Sequence, residues 1–241
     1  MNLIKPKKSL GQNFLIDKNI IDLIINAGNI KNNDVVFEVG PGTGNLTEKI
    51  LSKEPKKIFT VEKDKILAKK LVEKFKDKIC MINKDILHMN EENLSDRPMI
   101  VFGNLPYNIS TQILAKWIKI INLNNTFKRF ILMFQKEVGE RIVADTNKKN
   151  YGRLSILTSW RMNVKKITDV SPKSFFPIPK VKSTILLIEP KIKYYNLKNP
   201  KNLEYITSVF FNQRRKMIKK PLNTLFKNTN ELSSKLNINL N

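Results

Sequence analysis

A glycine-rich turn is the first feature of this sequence that suits the binding of a small molecule. Gly40, Gly42 and Gly44 follow Glu38 in the run Glu-Val-Gly-Pro-Gly-Thr-Gly, between a predicted strand and a predicted helix. Glycine permits a tight turn and lets a ligand lie against the backbone, beside the free N–H groups of the helix. The spacing G-x-G-x-G is one residue shorter than the dinucleotide pattern G-x-G-x-x-G, whose loop wraps a pyrophosphate. Glycine turns after strands are common, but this one favours a ligand without phosphates, such as S-adenosylmethionine, in contact with Gly40 and Gly42.

Two acidic residues end the next two predicted strands. Glu62 lies 18 residues beyond Gly44, near the spacing at which a carboxylate accepts hydrogen bonds from both ribose hydroxyls. Asp85 ends its strand in the same way and is placed to accept a hydrogen bond from the adenine amine of the ligand. A lone Glu before a Lys-rich helix is usually just exposed, and a lone Asp is more often a helix cap than a ligand. Because α/β folds bind ligands at the carboxyl ends of strands, the position of Glu62 favours the binding role.

The turn Asn104-Leu105-Pro106-Tyr107 follows the fourth predicted strand and has the groups needed to methylate an adenine amine. The N6 amine is a poor nucleophile, because its lone pair is delocalised into the ring. The side-chain carbonyl of Asn104 and the main-chain carbonyl of Leu105 can accept its two N–H bonds, draw it toward tetrahedral geometry and free that lone pair. Pro106 fixes the turn without a competing N–H, and Tyr107 offers a flat face for stacking a base. Without further context, such a turn is an ordinary loop in most proteins.

Alternating strands and helices are predicted to position these turns. The predicted strands cover residues 35–39, 57–62, 79–84, 99–102, 130–134, 155–160 and 184–189. The predicted helices follow a cap at Asp17 and cover residues 45–53, 65–75 and 110–120. This alternation with short connections indicates βαβ units and a central, mostly parallel sheet, that is, a Rossmann-like α/β fold.

Composition restricts the partners and the chemistry. The 44 Lys and Arg residues against 21 Asp and Glu residues give a net charge of +23, which attracts polyanions and above all nucleic acid. Coding bias explains the preference for Lys over Arg, but it explains the shortage of acids less well. The single Cys80 and the single His88 exclude an internal disulfide and a His-rich metal site. These counts lead us to expect a metal-free protein of the cytoplasm. No apolar run approaches the roughly 20 residues that cross a bilayer, so no membrane contact is expected.

The chain is predicted to divide at Pro190. Residues 191–241 carry eleven basic residues against two acidic ones and show helical periodicity around residues 205–211. We therefore expect a catalytic, S-adenosylmethionine-binding domain at residues 1–190 and a small, basic, helical RNA-binding domain at residues 191–241.

Four segments, in order along the chain, carry a resemblance to a known family. They are Lys-Ser-Leu-Gly-Gln-Asn-Phe-Leu (8–15), Phe-Gly-Asn-Leu-Pro-Tyr-Asn-Ile-Ser-Thr (102–111), Phe-Phe-Pro-Ile-Pro-Lys-Val-Lys-Ser (175–183) and Phe-Phe-Asn-Gln-Arg-Arg-Lys (210–216). The second contains a turn similar to the N/D-P-P-Y motif of amino-methyltransferases. Together the four resemble the ribosomal RNA adenine dimethyltransferase family, and they span nearly the whole chain.

This resemblance implies a class I methyltransferase fold with a small helical C-terminal domain. It also implies the reaction: dimethylation of two adjacent adenosines in a hairpin near the 3′ end of small-subunit (16S) ribosomal RNA, in the pre-30S particle during ribosome biogenesis. The implied cofactor contacts are Asn13, Leu15, Gly40, Glu62, Asp85 and Asn104. By the same resemblance Phe175 would stack on the target base opposite Tyr107, although a Phe before two prolines is otherwise most often core packing. The expected RNA contacts are Lys7, Lys8, Arg214, Arg215 and Lys216, and a monomer is expected.

The sequence leaves other functions open. A second branch of the family modifies a large-subunit adenosine and confers macrolide resistance. Leu105, where that branch tends to have Ile, and the basic run 213–216 favour the small-subunit branch. A DNA adenine methyltransferase and a non-catalytic RNA-binding assembly factor are further alternatives, but a pure binder would need neither the glycine turn nor the Asn104–Tyr107 turn. Only about 26 residues follow Arg215, so the second domain looks short, which leaves RNA affinity and substrate choice open.

Overall fold

A seven-stranded, mostly parallel sheet forms the centre of the protein. The computed structural model describes residues 6–7, 10–212 and 217–240. The strands, numbered in chain order, are β1 (Phe14–Leu15), β2 (Val35–Val39), β3 (Lys57–Val61), β4 (Cys80–Ile82), β5 (Met99–Asn104), β6 (Phe127–Gln135), β7 (Met162–Val170), β8 (Phe175–Phe176) and β9 (Ser183–Pro190). The helices are α1 (Lys18–Gly28), α2 (Asn45–Leu51), α3 (Lys65–Phe75), α4 (Ser110–Ile118), α5 (Leu123–Thr126), α6 (Lys136–Ile142), α7 (Arg153–Arg161), α8 (Pro200–Phe211), α9 (Lys219–Leu225) and α10 (Thr229–Leu236).

The strand order of the sheet is β4-β3-β2-β5-β6-β9-β7, and β1 pairs separately with β8. Strands β4, β3, β2, β5 and β6 are parallel, whereas β9 runs antiparallel to both of its neighbours. From β2 the chain builds outward through β3 to β4, and then crosses to β5 on the other side of β2. Doubly wound sheets bind ligands at such a reversal, in the crevice outside the carboxyl ends of the strands.

Side chains that alternate along the strands fill a core on each face of the sheet. In β2, Val35 and Phe37 pack on the face covered by α4, α6 and α7, while Val36 packs on the face covered by α1, α2 and α3. This alternation is the ordinary pleat of a strand. Because both faces are covered, the inner strands are continuous apolar runs, which is why the sequence shows them so clearly.

Most of the predicted elements are confirmed, with ends shifted by a few residues. The cap at Asp17 is present: its carboxylate accepts hydrogen bonds from the N–H groups of Asn19 (3.0 Å) and Ile20 (3.4 Å). Asp64 caps α3 in the same way, with a 2.9 Å bond from the Ile66 N–H. These bonds satisfy N–H groups that the first turn of a helix leaves without partners.

The predicted strand at residues 155–160 is wrong, because this segment lies within helix α7. The Gly152 N–H donates to the Ser155 hydroxyl at the start of this helix (3.0 Å), and the buried residues Ser155, Leu157, Thr158 and Arg161 recur with helical rather than alternating spacing. The real strand, β7, follows at once and, within the described residues, pairs with β9 alone. Its exposed lysines give it no apolar run, as is common for an edge strand.

Helices α8, α9 and α10 lie in the basic C-terminal part of the chain, and α8 packs against α7. The helical character predicted for residues 191–241 is therefore present, while the division at Pro190 stays a prediction. Within the described residues no helix combines the length and apolarity of a membrane span. The same residues contain no cluster of three or more His, Cys, Asp or Glu side chains suited to a metal ion.

Candidate active site

The glycine turn and the Asn104–Tyr107 turn lie side by side. Strands β2 and β5 pair in parallel register, with Val39 opposite Gly103, so the chain leaves both strands at the same edge. Gly40 has φ of +68°, and a Cβ built on it would have only the Asn104 carbonyl oxygen within 4 Å, at 4.0 Å. The space above Gly40 is therefore open. A cleft begins there, at the reversal point of the sheet.

This cleft brings together all seven predicted cofactor-binding residues. Its lining includes Asn13, Leu15, Gly40, Gly42, Glu62, Asp85 and Asn104. Pro106 also lines it, whereas Leu105, Tyr107 and Phe175 do not. These residues therefore lie together, as predicted from the sequence. Their contacts with a cofactor stay predictions.

Glu62 lies at the floor of the cleft and ties the glycine turn to α3. Its carboxylate accepts hydrogen bonds from the N–H groups of Gly42 (3.4 Å) and Asp64 (2.9 Å). Burial raises the pKa of Glu62 above its ordinary value, and these backbone bonds offset part of the effect. A carboxylate has about four acceptor sites, so these backbone bonds leave Glu62 able to accept from a ligand hydroxyl as well.

Asp85 combines the two roles that the sequence offered for it. Its Oδ1 accepts from the Leu87 N–H (3.0 Å), which caps a short helical turn. Its Oδ2 accepts from the Lys63 ammonium at 2.8 Å, and this contact lowers the pKa of Asp85. Asp85 also lines the cleft, opposite the glycine turn, so the capping role and a binding role are compatible.

The N-terminal arm forms one wall of the cleft. Phe14 packs on the glycine turn, where a Cβ on Gly42 would lie 2.9 Å from the Phe14 ring. The Lys7 ammonium pairs with Asp64 at 2.9 Å, and the Gln12 amide donates to the same carboxylate at 3.2 Å. Burial acts to raise the pKa of Asp64, but the hydrogen bonds from Lys7, the Ile66 N–H and Gln12 outweigh it, so the pKa lies below its usual range. The arm is thus attached at the mouth of the cleft.

Asn104 is oriented by this arm. Its side-chain Nδ2 donates to the main-chain carbonyl of Asn13 at 2.7 Å. Since the amide nitrogen is used in this bond, the amide oxygen of Asn104 is the atom left to accept a hydrogen bond from a substrate. The adenine chemistry inferred for this residue requires that orientation.

Tyr107 is fixed by a residue of another segment. Its hydroxyl lies 2.5 Å from the hydroxyl of Ser183, a fully buried side chain at the start of β9. Burial raises the pKa of Tyr107, and the bond with Ser183 offsets part of this, so the phenol is protonated at neutral pH. The contact joins the turn after β5 to the segment 175–183.

Comparison with known proteins agrees with this geometry. A family profile described as "Ribosomal RNA adenine dimethylase" matches residues 4–241. The chain belongs to the ribosomal RNA adenine dimethylase family. It is therefore a methyltransferase, and the resemblance seen in the four sequence segments is confirmed.

Individual members of the family cover almost the whole chain. "Ribosomal RNA small subunit methyltransferase A" of Pelagibacter ubique is 56% identical over 238 residues, which are 99% of this chain and 90% of the relative. The protein of the same name from Ehrlichia canis is 42% identical over 247 residues, covering 100% and 92%.

Solved structures share the fold. The crystal structure of a dimethyladenosine transferase from Plasmodium falciparum has a TM-score of 0.76 and 31% identity, covering 94% of this chain and 82% of the other. That of the 23S rRNA methyltransferase ErmE has a TM-score of 0.72 over 95% and 91% of the two chains, and at 22% identity it shows the fold alone. The predicted Rossmann-like class I methyltransferase fold is confirmed.

Phe175 requires a correction to the stacking role that the family resemblance implied. Its side chain is only 1% exposed and belongs to the core cluster that includes Leu15, Ile21 and Val170. β8 pairs with β1 so that Leu15 lies opposite Phe175, and both point into the core. In this arrangement Phe175 packs the core and is not available to a base, because the two-stranded pairing turns it inward. Its neighbour Phe176 is 52% exposed.

The predicted RNA-binding residues fall mostly outside the described part of the chain. Lys8, Arg214, Arg215 and Lys216 are not among the described residues. Lys7 is described, and its charge is already paired with Asp64. Lys7 therefore helps to hold the arm, and RNA binding by all five residues stays a prediction.

Three residues of the site have a structural role that was not predicted from the sequence. Ser183 and Asn45 act through contacts distant in the chain: Ser183 holds Tyr107, and the Asn45 amide donates to the Leu15 carbonyl (2.8 Å). No local pattern marks such contacts. Glu38 is different, since a carboxylate within an apolar strand is itself a signal; it is 1% exposed and accepts a 2.7 Å bond from the Thr47 hydroxyl.

Proposed function

We propose that this protein transfers methyl groups from S-adenosylmethionine to N6 of two adjacent adenosines, in a hairpin near the 3′ end of small-subunit ribosomal RNA. Support comes from relatives named for the small subunit, which match the chain over nearly its whole length. The observation that carries the chemistry is the bond between the Asn104 amide nitrogen and the Asn13 carbonyl, which leaves the side-chain oxygen of Asn104 as an acceptor on a residue that lines the cleft. The protein would act in the cytoplasm on the pre-30S particle, as a monomer.

The residues of the cleft suit S-adenosylmethionine. Gly40 leaves a space that any side chain would fill. Glu62 and Asp85 present carboxylates at the ends of β3 and β4, where a ribose and an adenine amine need acceptors. Asn13 and Leu15 would close the cleft from the arm, and Gly42 would offer its backbone. When bound, the cofactor supplies an electrophilic methyl group on a positively charged sulfur.

Asn104 and Leu105 would prepare the N6 amine for reaction. The target adenosine is flipped out of its stack, and its two N6–H bonds donate to the Asn104 side-chain oxygen and the Leu105 carbonyl. These acceptors hold the nitrogen lone pair toward the methyl group, so that the protein contributes mainly through positioning. Pro106 shapes the turn, and Tyr107, fixed by Ser183, offers its ring to the base. No general base is required, because the amine becomes acidic on alkylation and releases its proton to water.

Methyl transfer from labelled S-adenosylmethionine to unmodified small subunits tests this function. We expect label in small-subunit RNA, recovered after digestion as N6,N6-dimethyladenosine, and none in large subunits or free DNA. Label in large subunits alone would favour a macrolide-resistance activity, and label in DNA would favour a DNA methyltransferase. Binding of small subunits without any transfer would identify an assembly factor.

A further inference from the structure

We propose that residues 176–182, here called the rim loop, bind the unpaired RNA that flanks the target adenosine. Phe176 would stack on a neighbouring base, and Lys180 and Lys182 would contact phosphates. This inference rests on the proposed function, since it names a further contact surface for the same substrate.

The rim loop connects two points that border the active site. At one end Phe176 pairs across the β1–β8 ladder with Phe14, whose ring lies against the glycine turn. At the other end the loop leads into Ser183, whose hydroxyl contacts Tyr107. A strand of RNA with its adenosine at Tyr107 therefore passes beside this loop.

The register of the short ladder decides which phenylalanine faces outward. Residues opposite each other in an antiparallel pair have their side chains on the same face. Leu15 and Phe175 share the face that enters the core, so Phe14 and Phe176 share the other face. Phe14 is covered by the glycine turn and is 8% exposed, whereas Phe176 beside it is 52% exposed. An aromatic ring is thus left open on the side of the ladder that borders the cleft.

The charge of the rim loop complements a nucleic acid. Residues 171–183 contain no Asp or Glu, and Lys180 and Lys182 are exposed. Neither forms an ion pair with any described residue, whereas the nearby Lys136 and Lys166 both pair with Asp169. Exposed apolar side chains, Ile178 and Val181, alternate with these lysines. Single-stranded nucleic acids are bound by such a combination of stacking surface and positive charge.

The rim loop is anchored to the fold at both of its ends. The Ser174 carbonyl accepts from the Ile16 N–H (2.9 Å) just before it, and the Lys182 carbonyl accepts from the Lys136 N–H (2.9 Å) at its end. Pro177 and Pro179 restrict the backbone between these points. A loop ordered in advance loses little conformational entropy on binding, which suits a surface that must place one nucleotide accurately.

Neutralising the two lysines tests the phosphate contacts. The affinity of the full chain for a labelled RNA hairpin with two adjacent loop adenosines is measured across a range of salt concentrations. For Lys180→Gln/Lys182→Gln we expect the negative slope of log affinity against log salt to become less steep by about 1.4. This is about 0.7 for each lost contact with a single strand. The matched control is Lys53→Gln/Lys56→Gln, two exposed lysines near the amino end of β3, away from the cleft; its slope should equal that of the wild type.

Substitution of Phe176 tests the stacking. Phe176→Ala should weaken hairpin binding about tenfold, the order of one lost stacked base. Phe176→Trp should bind as well as the wild type, while Phe176→Leu, which keeps apolar area but has no aromatic ring, should bind as poorly as the alanine variant. Full binding by the leucine variant would overturn the stacking role.

Further outcomes separate this inference from the proposed function. If the wild type methylates small subunits and all rim-loop variants bind and methylate like it, the rim-loop proposal is wrong and the function stands. If the variants lose affinity for assembled small subunits but not for the hairpin, the loop contacts a ribosomal protein and the proposal is overturned. If the wild type binds the hairpin but methylates nothing, the proposed function is wrong. The hairpin measurements then still test whether the rim loop binds RNA.

Discussion

The orientation of the Asn104 amide is the residue-scale feature on which the chemistry depends most. Its nitrogen is committed to the Asn13 carbonyl, so its oxygen is the acceptor for N6. We expect Asn104→Ala to lower kcat by on the order of 100-fold, by analogy with the loss of one preorganised hydrogen-bonding group in other active sites. Calorimetric titration with S-adenosylmethionine should show a loss of affinity much smaller than the loss of kcat, because Gly40, Glu62 and the rest of the cleft are unchanged. Normal turnover by the purified variant would remove Asn104 from the mechanism.

The contact between Tyr107 and Ser183 predicts coupling between the two side chains. Ser183→Ala and Tyr107→Phe should each lower kcat roughly fivefold, the order of one hydrogen bond. Because both substitutions break the same bond, the double variant should be no slower than Tyr107→Phe. The affinity for S-adenosylmethionine should be unchanged in all three variants. Rate losses that multiply in the double variant would show that the two hydroxyls act independently.

Glu38 predicts a pH dependence of stability. Burial raises the pKa of Glu38 to about 7 from an ordinary value of 4.5, with a smaller offset from Thr47 and a further increase from Glu62. Between these two values the folded state binds more protons than the unfolded state, so the free energy of unfolding falls as pH rises through this window, by about 3 kcal/mol in total. Urea unfolding of Glu38→Gln at pH 5 and pH 8 should show a flatter profile.

The control for this measurement is Glu73→Gln, at an exposed position on α3. It should leave the pH profile of the wild type unchanged. An equal flattening in both variants would show that the profile does not come from Glu38.

At the scale of elements, the packing of the arm on the glycine turn predicts different effects for alanine substitutions at Gly40 and Gly42. Gly40 and Gly42 have φ of +68° and +59°, so either substitution costs about 1 to 2 kcal/mol in backbone strain. A Cβ on Gly40 would enter the open cleft, whereas one on Gly42 would collide with Phe14. Gly42→Ala should therefore be the less stable variant, while Gly40→Ala should lose affinity for S-adenosylmethionine with the smaller loss of stability. Wild-type affinity in Gly40→Ala would place the ligand elsewhere.

Some of these elements can be predicted from the local sequence and others cannot. Helices with a capping Asp, such as Asp17 and Asp64, and apolar runs buried on both faces are local signals, and those elements are predicted correctly. The positions of Gly40, Glu62 and Asn104 at one edge follow from the βαβ order alone. The polar edge strand β7 has no local signal. The β1–β8 pairing, which turns Phe175 inward, joins segments about 160 residues apart and becomes visible only in the fold.

At the scale of the whole molecule, Arg161 joins the carboxyl end of α4 to the segment that leads into the C-terminal helices. It is 4% exposed, and its guanidinium donates to the carbonyls of Ile118 (2.7 Å) and Ile120 (2.6 Å) and to the Tyr194 hydroxyl (3.2 Å). A lysine ammonium cannot span these acceptors. Arg161→Lys should lower the free energy of unfolding by about 2 to 4 kcal/mol. Urea denaturation should show a change within about 0.5 kcal/mol for the exposed control Arg153→Lys, and equal losses in the two variants would contradict the role.

A crystal structure of the protein with bound S-adenosylmethionine would show whether the glycine turn and the Asn104–Tyr107 turn form one site. We expect the ligand in the cleft between the glycine turn and the end of β3, with its ribose at Glu62 and its methyl group directed toward the Asn104 side-chain oxygen. A ligand bound at the amino ends of the strands, or in the second groove, which residues of α7 and α8 such as Leu157 and Thr207 line, would show that the cleft is not the cofactor site.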